Sequence, residues 1–380
     1  MKVLSISTDR NIFKNESATR ARMIEYGSLF DELHIIVFTN KKFNDEQISS
    51  NVWIYPTNSW SRWFYIRNAV RIGSRVIRNR RFEKTKDVIT AQDPFETGLS
   101  GLKLKKLFGL PLHVQIHTDF MSPYFWRHSL LNWMRMGIAC KVLRVADAVR
   151  VVSKRIKDSI EKKKLTKMSV DIDILPIFVD IKSFTEAPAL MDLKKKYPQF
   201  NFIILMASRL TREKNIPLAF KMMRRLKIVY PKVGLVVVGE GREKSKLKGL
   251  AKHLGINSSV IFEPWQEDIA SYYKTANMFL STSQYEGYGL SMVEAIASHC
   301  PVVGTDAGIA PELLHDGEVS FVCPVGDAAC LFENVNKLIS DTPLRERFVH
   351  EAFARIDTIA ILDKAEYLKR YKESITAALR

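Results

Sequence analysis

The chain has 380 residues, 46% of them apolar, and a formal net charge of +17. Its length and apolar content fit two packed domains and exclude a disordered or fibrous chain. No stretch approaches the eighteen or so apolar residues of a spanning helix, and the start "MKVLSISTDR" has no apolar core of a signal peptide, so a cytoplasmic protein is expected.

Short β-rich runs come first: "KVLSIS" (2–7), "LHIIVF" (33–38), "DVITAQ" (87–92), "LHVQIH" (112–117) and "DAVRVVS" (147–153), with helix-length segments between them. That alternation predicts parallel strands joined by crossover helices, a doubly wound α/β domain over 1–180. This half carries most of the charge, with 31 Lys and Arg against 18 Asp and Glu. Within it, 58–84 holds eight basic residues and one acid, interleaved with Trp60, Trp63, Phe64 and Tyr65, and 120–147 repeats the mixture. Two readings stand: attachment to an anionic membrane surface, or core-facing helices with a solvated basic side.

The segment "DIDILPIFVDIKSFTEAPAL" (171–190), with Pro176 and Pro188, reads as the linker. A second series of strands follows at 201–210, 234–241, 259–264, 277–282, 300–305 and 320–325, giving a second doubly wound domain over 181–358. An amphipathic helix is expected over 359–380. The cysteines Cys140, Cys300, Cys323 and Cys330 show no metal-type spacing and are expected as reduced, buried thiols, neither paired nor metal-bound.

Ligand loops in such domains lie at the carboxyl ends of strands. In "ASRLTREKNIPLAF", Arg209 and Lys214 precede a helix with Asn215 as its expected N-cap and Pro217 in its first turn, a setting suited to phosphate. "VVVGEG" places Gly239 and Gly241 around a turn lining the crevice. In "STSQYEGYGLSMVEAIASHCPVVGTDAG", Glu286 lies in a glycine-rich loop and Glu294 about one turn into the next helix, so that carboxylates can meet sugar hydroxyls while amides meet phosphate oxygens.

Glu286 and Glu294, seven residues apart and followed by "EAIASHCPVVGTDAGIAPELL", resemble the E-x7-E element of retaining glycosyltransferases of family 4, and "ASRLTREKN" is similar to that family's diphosphate loop. The resemblance implies a GT-B fold, two Rossmann-like domains facing across a cleft, with the C-terminal helix returning to the first. It further implies an acceptor-binding N-terminal domain and a C-terminal domain for a UDP- or GDP-linked hexose. Arg209 and Lys214 would hold the diphosphate, Glu294 the ribose and Glu286 the transferring sugar. Gly239, Gly287, Tyr288, Gly289, Leu290 and Gly308 would surround the donor. His117, ending "QIH", resembles the family's active-site histidine. The chain departs from the pattern after its first strand, which lacks paired glycines, at His299, where glycine is common, and at Ile309, which replaces a second glycine.

The implied activity is metal-independent, retaining hexosyl transfer, without a cofactor, to a hydroxyl of a lipid-linked or cell-envelope glycan at the inner face of the cell membrane. Hydrolysis is disfavoured because the two carboxylates share one loop and helix, with cations nearby, and do not flank a bond. A nucleotide-sugar epimerase of the same fold would need the same diphosphate site. A non-enzymatic nucleic-acid binder is disfavoured because no helix-turn-helix, zinc-finger or RNP-like pattern occurs and the loaded loops lie in the less basic half.

Overall fold

The computed structural model describes residues 1–314, 316–356 and 363–380. It divides into two compact units, Met1–Leu175 with Asp363–Arg380, and Pro176–Leu362. The chain first changes unit between Leu175 and Pro176, inside the expected linker, but the start of that linker is corrected: Ile172–Ile174 is a strand of the first unit's sheet, too short to show a pattern. The expected boundary at 358/359 lies outside the described residues.

The first unit is built on an eight-stranded sheet. Its strands are β1 (Lys2–Ser7), β2 (Glu32–Val37), β3 (Glu46–Ser49), β4 (Val52–Pro56), β5 (Val88–Ala91), β6 (Leu112–Ile116), β7 (Ala148–Val151) and β8 (Ile172–Ile174). Their order is β3-β4-β2-β1-β5-β6-β7-β8. All neighbours are parallel except the short edge pair β3 and β4, which sequence periodicity missed. Strand order reverses between β1 and β5, the position where doubly wound sheets bind ligands.

The second unit holds β9 (Phe202–Ala207), β10 (Val233–Val238), β11 (Val260–Glu263), β12 (Met278–Ser281), β13 (Val302–Thr305) and β14 (Phe321–Cys323), in the order β11-β10-β9-β12-β13-β14. Every pairing is parallel. Helices cover both faces, so "VGLVVV" of β10 is buried at every position, which is why it reads as continuously apolar and not alternating. Here the order reverses between β9 and β12.

Helix packing in the first unit separates the two readings of its basic segments. Along Tyr65–Asn79 the apolar residues Ala69, Ile72, Val76 and Ile77 are buried, and Gly73 lets the helix approach its neighbour Glu96–Phe108 so closely that a Cβ would lie 2.6 Å from Leu104 Cδ1. Arg67, Arg71, Arg75 and Arg78 form the exposed stripe. This helix therefore spends its apolar face on the core.

The C-terminal helix Lys364–Thr376 packs on the first unit through polar contacts. Arg150 of β7 is 2% exposed; its Nε and one Nη donate to the Leu175 carbonyl at 3.2 and 3.1 Å, and it also donates to Gln115 Oε1 at 3.0 Å and to the Tyr367 hydroxyl at 3.1 Å. Gln115 in turn donates to the Tyr371 hydroxyl at 3.3 Å.

The cysteine expectation is corrected. Cys323 and Cys330 form a disulfide with their Cα atoms 5.8 Å apart, while Cys140 and Cys300 are free. Cys323 ends β14, and the helix Ala328–Ser340 starts after a tight turn, so its first turn carries Cys330 back over the strand end. That proximity comes from the turn, and seven residues of spacing do not reveal it.

Candidate donor and acceptor site residues

The second unit brings together residues from loops far apart in sequence. Lys214 follows β9, Glu286 follows β12, and these strands are neighbours at the point of order reversal. Lys214 Nζ makes an ion pair with Glu286 Oε1, which also accepts from Ser283 Oγ at 2.7 Å. Both side chains are largely buried, 14% and 17% exposed, so the pair is shielded from solvent screening. The two loops are stitched by Thr282 Oγ1, which donates to the Lys214 carbonyl at 2.8 Å, and by the Gln284 N–H, which donates to the Glu213 carbonyl at 2.8 Å. Thr305 Oγ1 of β13 adds a bond to the Ser283 carbonyl at 2.6 Å.

Two details differ from the sequence reading. Asn215 occupies the cap position of the helix Ile216–Val229, but in left-handed conformation at φ 48°, and its side chain makes no capping bond. Lys214 is already matched to a carboxylate, where its expected partner was diphosphate alone. Arg209 remains available: its side chain is 76% exposed and lies 3.7 Å from Glu213 Oε1. Glu213 is itself pinned by Thr211 Oγ1 at 2.6 Å.

Glu294 lies in the helix Leu290–Ala297, whose N-cap Gly289 has φ 108°. Burial raises its carboxyl above the usual range, against the Tyr273 hydroxyl that donates to Oε2 at 3.0 Å. Sequence reasoning missed Tyr273, because the aromatic run "SYYK" reads as core. Tyr288 is buried, Gly287 is buried beside it, and Leu290 is half-buried at the helix start. Gly308, at φ 61°, passes so close that a Cβ would meet the Tyr288 carbonyl at 2.4 Å and Glu286 Cβ at 2.7 Å. Gly239, at φ 141°, leaves a Cβ only 2.0 Å from the Ser208 carbonyl, and its N–H donates to the Glu263 carbonyl at 3.0 Å. Its amide is thus spent on the sheet, in keeping with a turn and not a phosphate cradle. His299 adopts φ 56°, the left-handed region that favours glycine, with its ring 4.2 Å from that of Phe353.

In the first unit His117 directly follows β6. Burial, and after it the positive Arg150 and Arg22, hold its imidazole far below the usual value, at about 3, so the ring is neutral near pH 7. The reversal between β1 and β5 carries groups that sequence reasoning passed over. Ser7 Oγ donates to Gln92 Oε1 at 2.9 Å across it, and the next residue, Asp93, has its carboxyl pushed up to about 6, chiefly by burial. The strand-end rule applied to "DVITAQ" points to these residues. Chemically, the second unit offers a lysine that can exchange one anion for another, an exposed arginine, and two carboxylates of different environment. The first offers a neutral imidazole and a carboxyl that titrates near neutrality.

Among the described residues no cluster of His, Cys, Asp and Glu suits a metal ion, and no helix is long and apolar enough to cross a membrane. Residues 192–355 match the family model for glycosyl transferases group 1, and residues 29–183 match that for glycosyltransferase family 4. The N-acetyl-alpha-D-glucosaminyl L-malate synthase of Bacillus anthracis is 26% identical over 59% of this chain and 57% of its own length. The phosphatidyl-myo-inositol mannosyltransferase of Mycobacterium leprae is 26% identical over 77% of this chain and 71% of its own. The alignment spans only 51% of the alpha-monoglucosyldiacylglycerol synthase of Streptococcus pneumoniae, 28% identical over 57% of this chain; the chain thus covers little more than half of some curated relatives. Among solved structures, Anabaena HepE in complex with UDP and glucose superposes with a TM-score of 0.76 at 20% identity, covering 99% of this chain and 100% of that one. Sucrose-phosphate synthase from Thermosynechococcus elongatus gives 0.75 at 16% identity, with 98% of each chain covered.

Proposed function

Because the chain belongs to the family 4 glycosyltransferases of GT-B fold, we propose that it moves a hexosyl group from a UDP- or GDP-linked donor to a hydroxyl of a lipid-linked or cell-envelope glycan, with retention of configuration. The observation that carries this reading is the meeting of Lys214 and Glu286 at the reversal between β9 and β12, with Glu294 on the helix that follows.

The chemistry follows from charge. Breaking the glycosyl–phosphate bond leaves negative charge on the diphosphate and positive charge on the sugar ring. Lys214 and Arg209 oppose the first, and each such preorganised donor is worth about 3 kcal/mol of transition-state stabilisation. A divalent metal is then not needed. In the free protein Glu286 occupies Lys214; an arriving diphosphate takes over the lysine and releases the carboxylate to the sugar hydroxyls. Glu294, steadied by Tyr273, receives the ribose. In the first unit the neutral His117 supplies a hydrogen bond to the sugar without adding charge. Retention requires the acceptor hydroxyl to attack from the side the diphosphate leaves, with the diphosphate taking its proton. A lipid-linked acceptor gives the basic first unit a partner in the anionic membrane surface; nucleic acid has no role in this reading.

The test is a thermal-shift screen against UDP-, GDP- and ADP-sugars without added metal, with Lys214→Ala and Glu294→Ala alongside. The expected result is stabilisation by one nucleotide sugar that both variants lose while remaining folded. Stabilisation that survives in both variants, or none in the parent protein, overturns the assignment.

A further inference from the structure

Besides the scattered Ile24, Leu107 and Met168, the first unit exposes large apolar side chains in two clusters that follow strand ends at the carboxyl-terminal edge of the sheet. The first follows β4: Trp60 is 91% and Trp63 72% exposed, with Phe64 beside them and the Arg62 guanidinium over the Trp63 ring at 5.3 Å. The second follows β6. In the helix Leu130–Leu143 the exposed residues Leu130, Trp133, Met134 and Gly137 fall at i, i+3, i+4 and i+7, one apolar stripe that faces outward. Lys141 and Arg144 continue the same stripe as cations, and Asn132, Ala139, Val142 and Leu143 form the inward face.

Water does not favour such a stripe, and the sequence that carries it is strongly basic. No Asp or Glu occurs from 47 to 82 or from 120 to 146, stretches that hold seven and four basic residues. Strands β4 and β6 are separated by β2, β1 and β5, so four inter-strand spacings put the clusters roughly 19 Å apart along the edge. Arg135 is matched by Glu96 at 3.0 Å and Arg75 by Asp45 at 2.8 Å, but cations remain in excess. Tryptophan rings beside arginines over that span match the headgroup zone of a bilayer, where indoles settle at the interface and cations meet anionic lipid.

We infer that this edge of the first unit is an interfacial docking face for an anionic membrane, with Trp60 and Trp63 as one anchor and Leu130, Trp133 and Met134 as the other. The inference rests on the proposed lipid-linked acceptor and deepens it: the docking face carries the strand ends, His117 among them, so a membrane-bound acceptor headgroup meets the same edge. The helix Tyr65–Asn79 does not embed, since its apolar face is already packed; its exposed arginines act through charge alone.

Flotation with vesicles of phosphatidylcholine alone, and of equal parts phosphatidylcholine and phosphatidylglycerol, tests it. The protein should float with the anionic vesicles only, and high salt should weaken binding without abolishing it. Trp60→Ser with Trp63→Ser, and separately Leu130→Ser with Trp133→Ser, should each raise the lipid needed for half-binding about tenfold. Arg71→Glu should raise it by more than about fivefold, the expected value for losing one surface cation. Stabilisation by the nucleotide sugar, measured on the same preparations, should stay unchanged; it reports folding and the donor site separately from docking. No binding by the parent protein overturns the inference, as does binding that survives both aromatic pairs and falls only with the arginine.

Discussion

Gly308 is the point where the donor loops press against Glu286, and replacing it with alanine has a calculable cost. Its φ of 61° places an L side chain in the left-handed region, which costs about 1 kcal/mol. The added Cβ lands 2.4 Å from the Tyr288 carbonyl oxygen, which cannot simply retreat because it accepts the Ile309 N–H at 2.9 Å, and 2.7 Å from Glu286 Cβ. Relieving such an overlap costs about a further 1–3 kcal/mol. Gly317 separates the two contributions: its φ is 77°, and a Cβ there meets nothing within 4 Å. Gly317→Ala should therefore lose about 1 kcal/mol and Gly308→Ala about 2–4, which for a unit of this size is about 2–4 °C of Tm per kcal/mol. Urea unfolding measures the stability difference, and a nucleotide-sugar thermal shift reads the displaced Glu286. Donor stabilisation should fail in Gly308→Ala and persist in Gly317→Ala. Equal losses in the two variants, with donor binding intact in both, would show that the loop yields freely and that the close approach has no role in placing Glu286.

Asp93 sets a pH dependence. Burial, opposed by the Phe95 N–H, leaves its carboxyl protonated up to about 6 in the folded chain, against an ordinary value of 3.8. Between those values the folded state binds more protons than the unfolded one, so stability falls as pH rises through the window. Asp93→Asn should flatten that fall in melts taken from pH 4 to about 7; an unchanged slope would rule it out. Cys330→Ser opens the short loop closed by the Cys323–Cys330 disulfide, and the chain-entropy relation gives a loss of about 2–3 kcal/mol, visible as a lower urea midpoint, with dithiothreitol reproducing it in the parent protein.

Most parallel strands were legible because each is a short apolar run, and the ligand loops because glycine and charge cluster where those runs stop; β8 was not, because its three residues open a proline-containing stretch that reads as linker. The Lys214–Glu286 pair was not: its members are 72 residues apart, and they meet only because β12 returns to the free edge of β9, a choice of strand order that no local pattern encodes. Periodicity also leaves open which way an apolar stripe points. Tyr65–Asn79 packs its single apolar stripe inward around Gly73, while Leu130–Leu143, apolar on more than one side, buries one stripe and leaves another facing out. Strand β3 escaped because "EQIS" is an edge strand with little burial to imprint a pattern, and β4 because "VWIYP", though buried, is short and ends in proline. Tyr273 and Ser283 were missed because hydroxyls that support a carboxylate carry no spacing of their own.

The bond from Arg150 to the Tyr367 hydroxyl spans 217 residues and ties the first unit to the helix Lys364–Thr376. During translation at about 5–20 residues per second, the arginine precedes that tyrosine by on the order of 10–40 s. Through that interval the half-made unit holds a guanidinium bound for its interior beside a groove still lacking its helix. The part of the chain synthesised first is therefore the part finished last, and a ribosome that stalls anywhere in the second unit leaves the first one open.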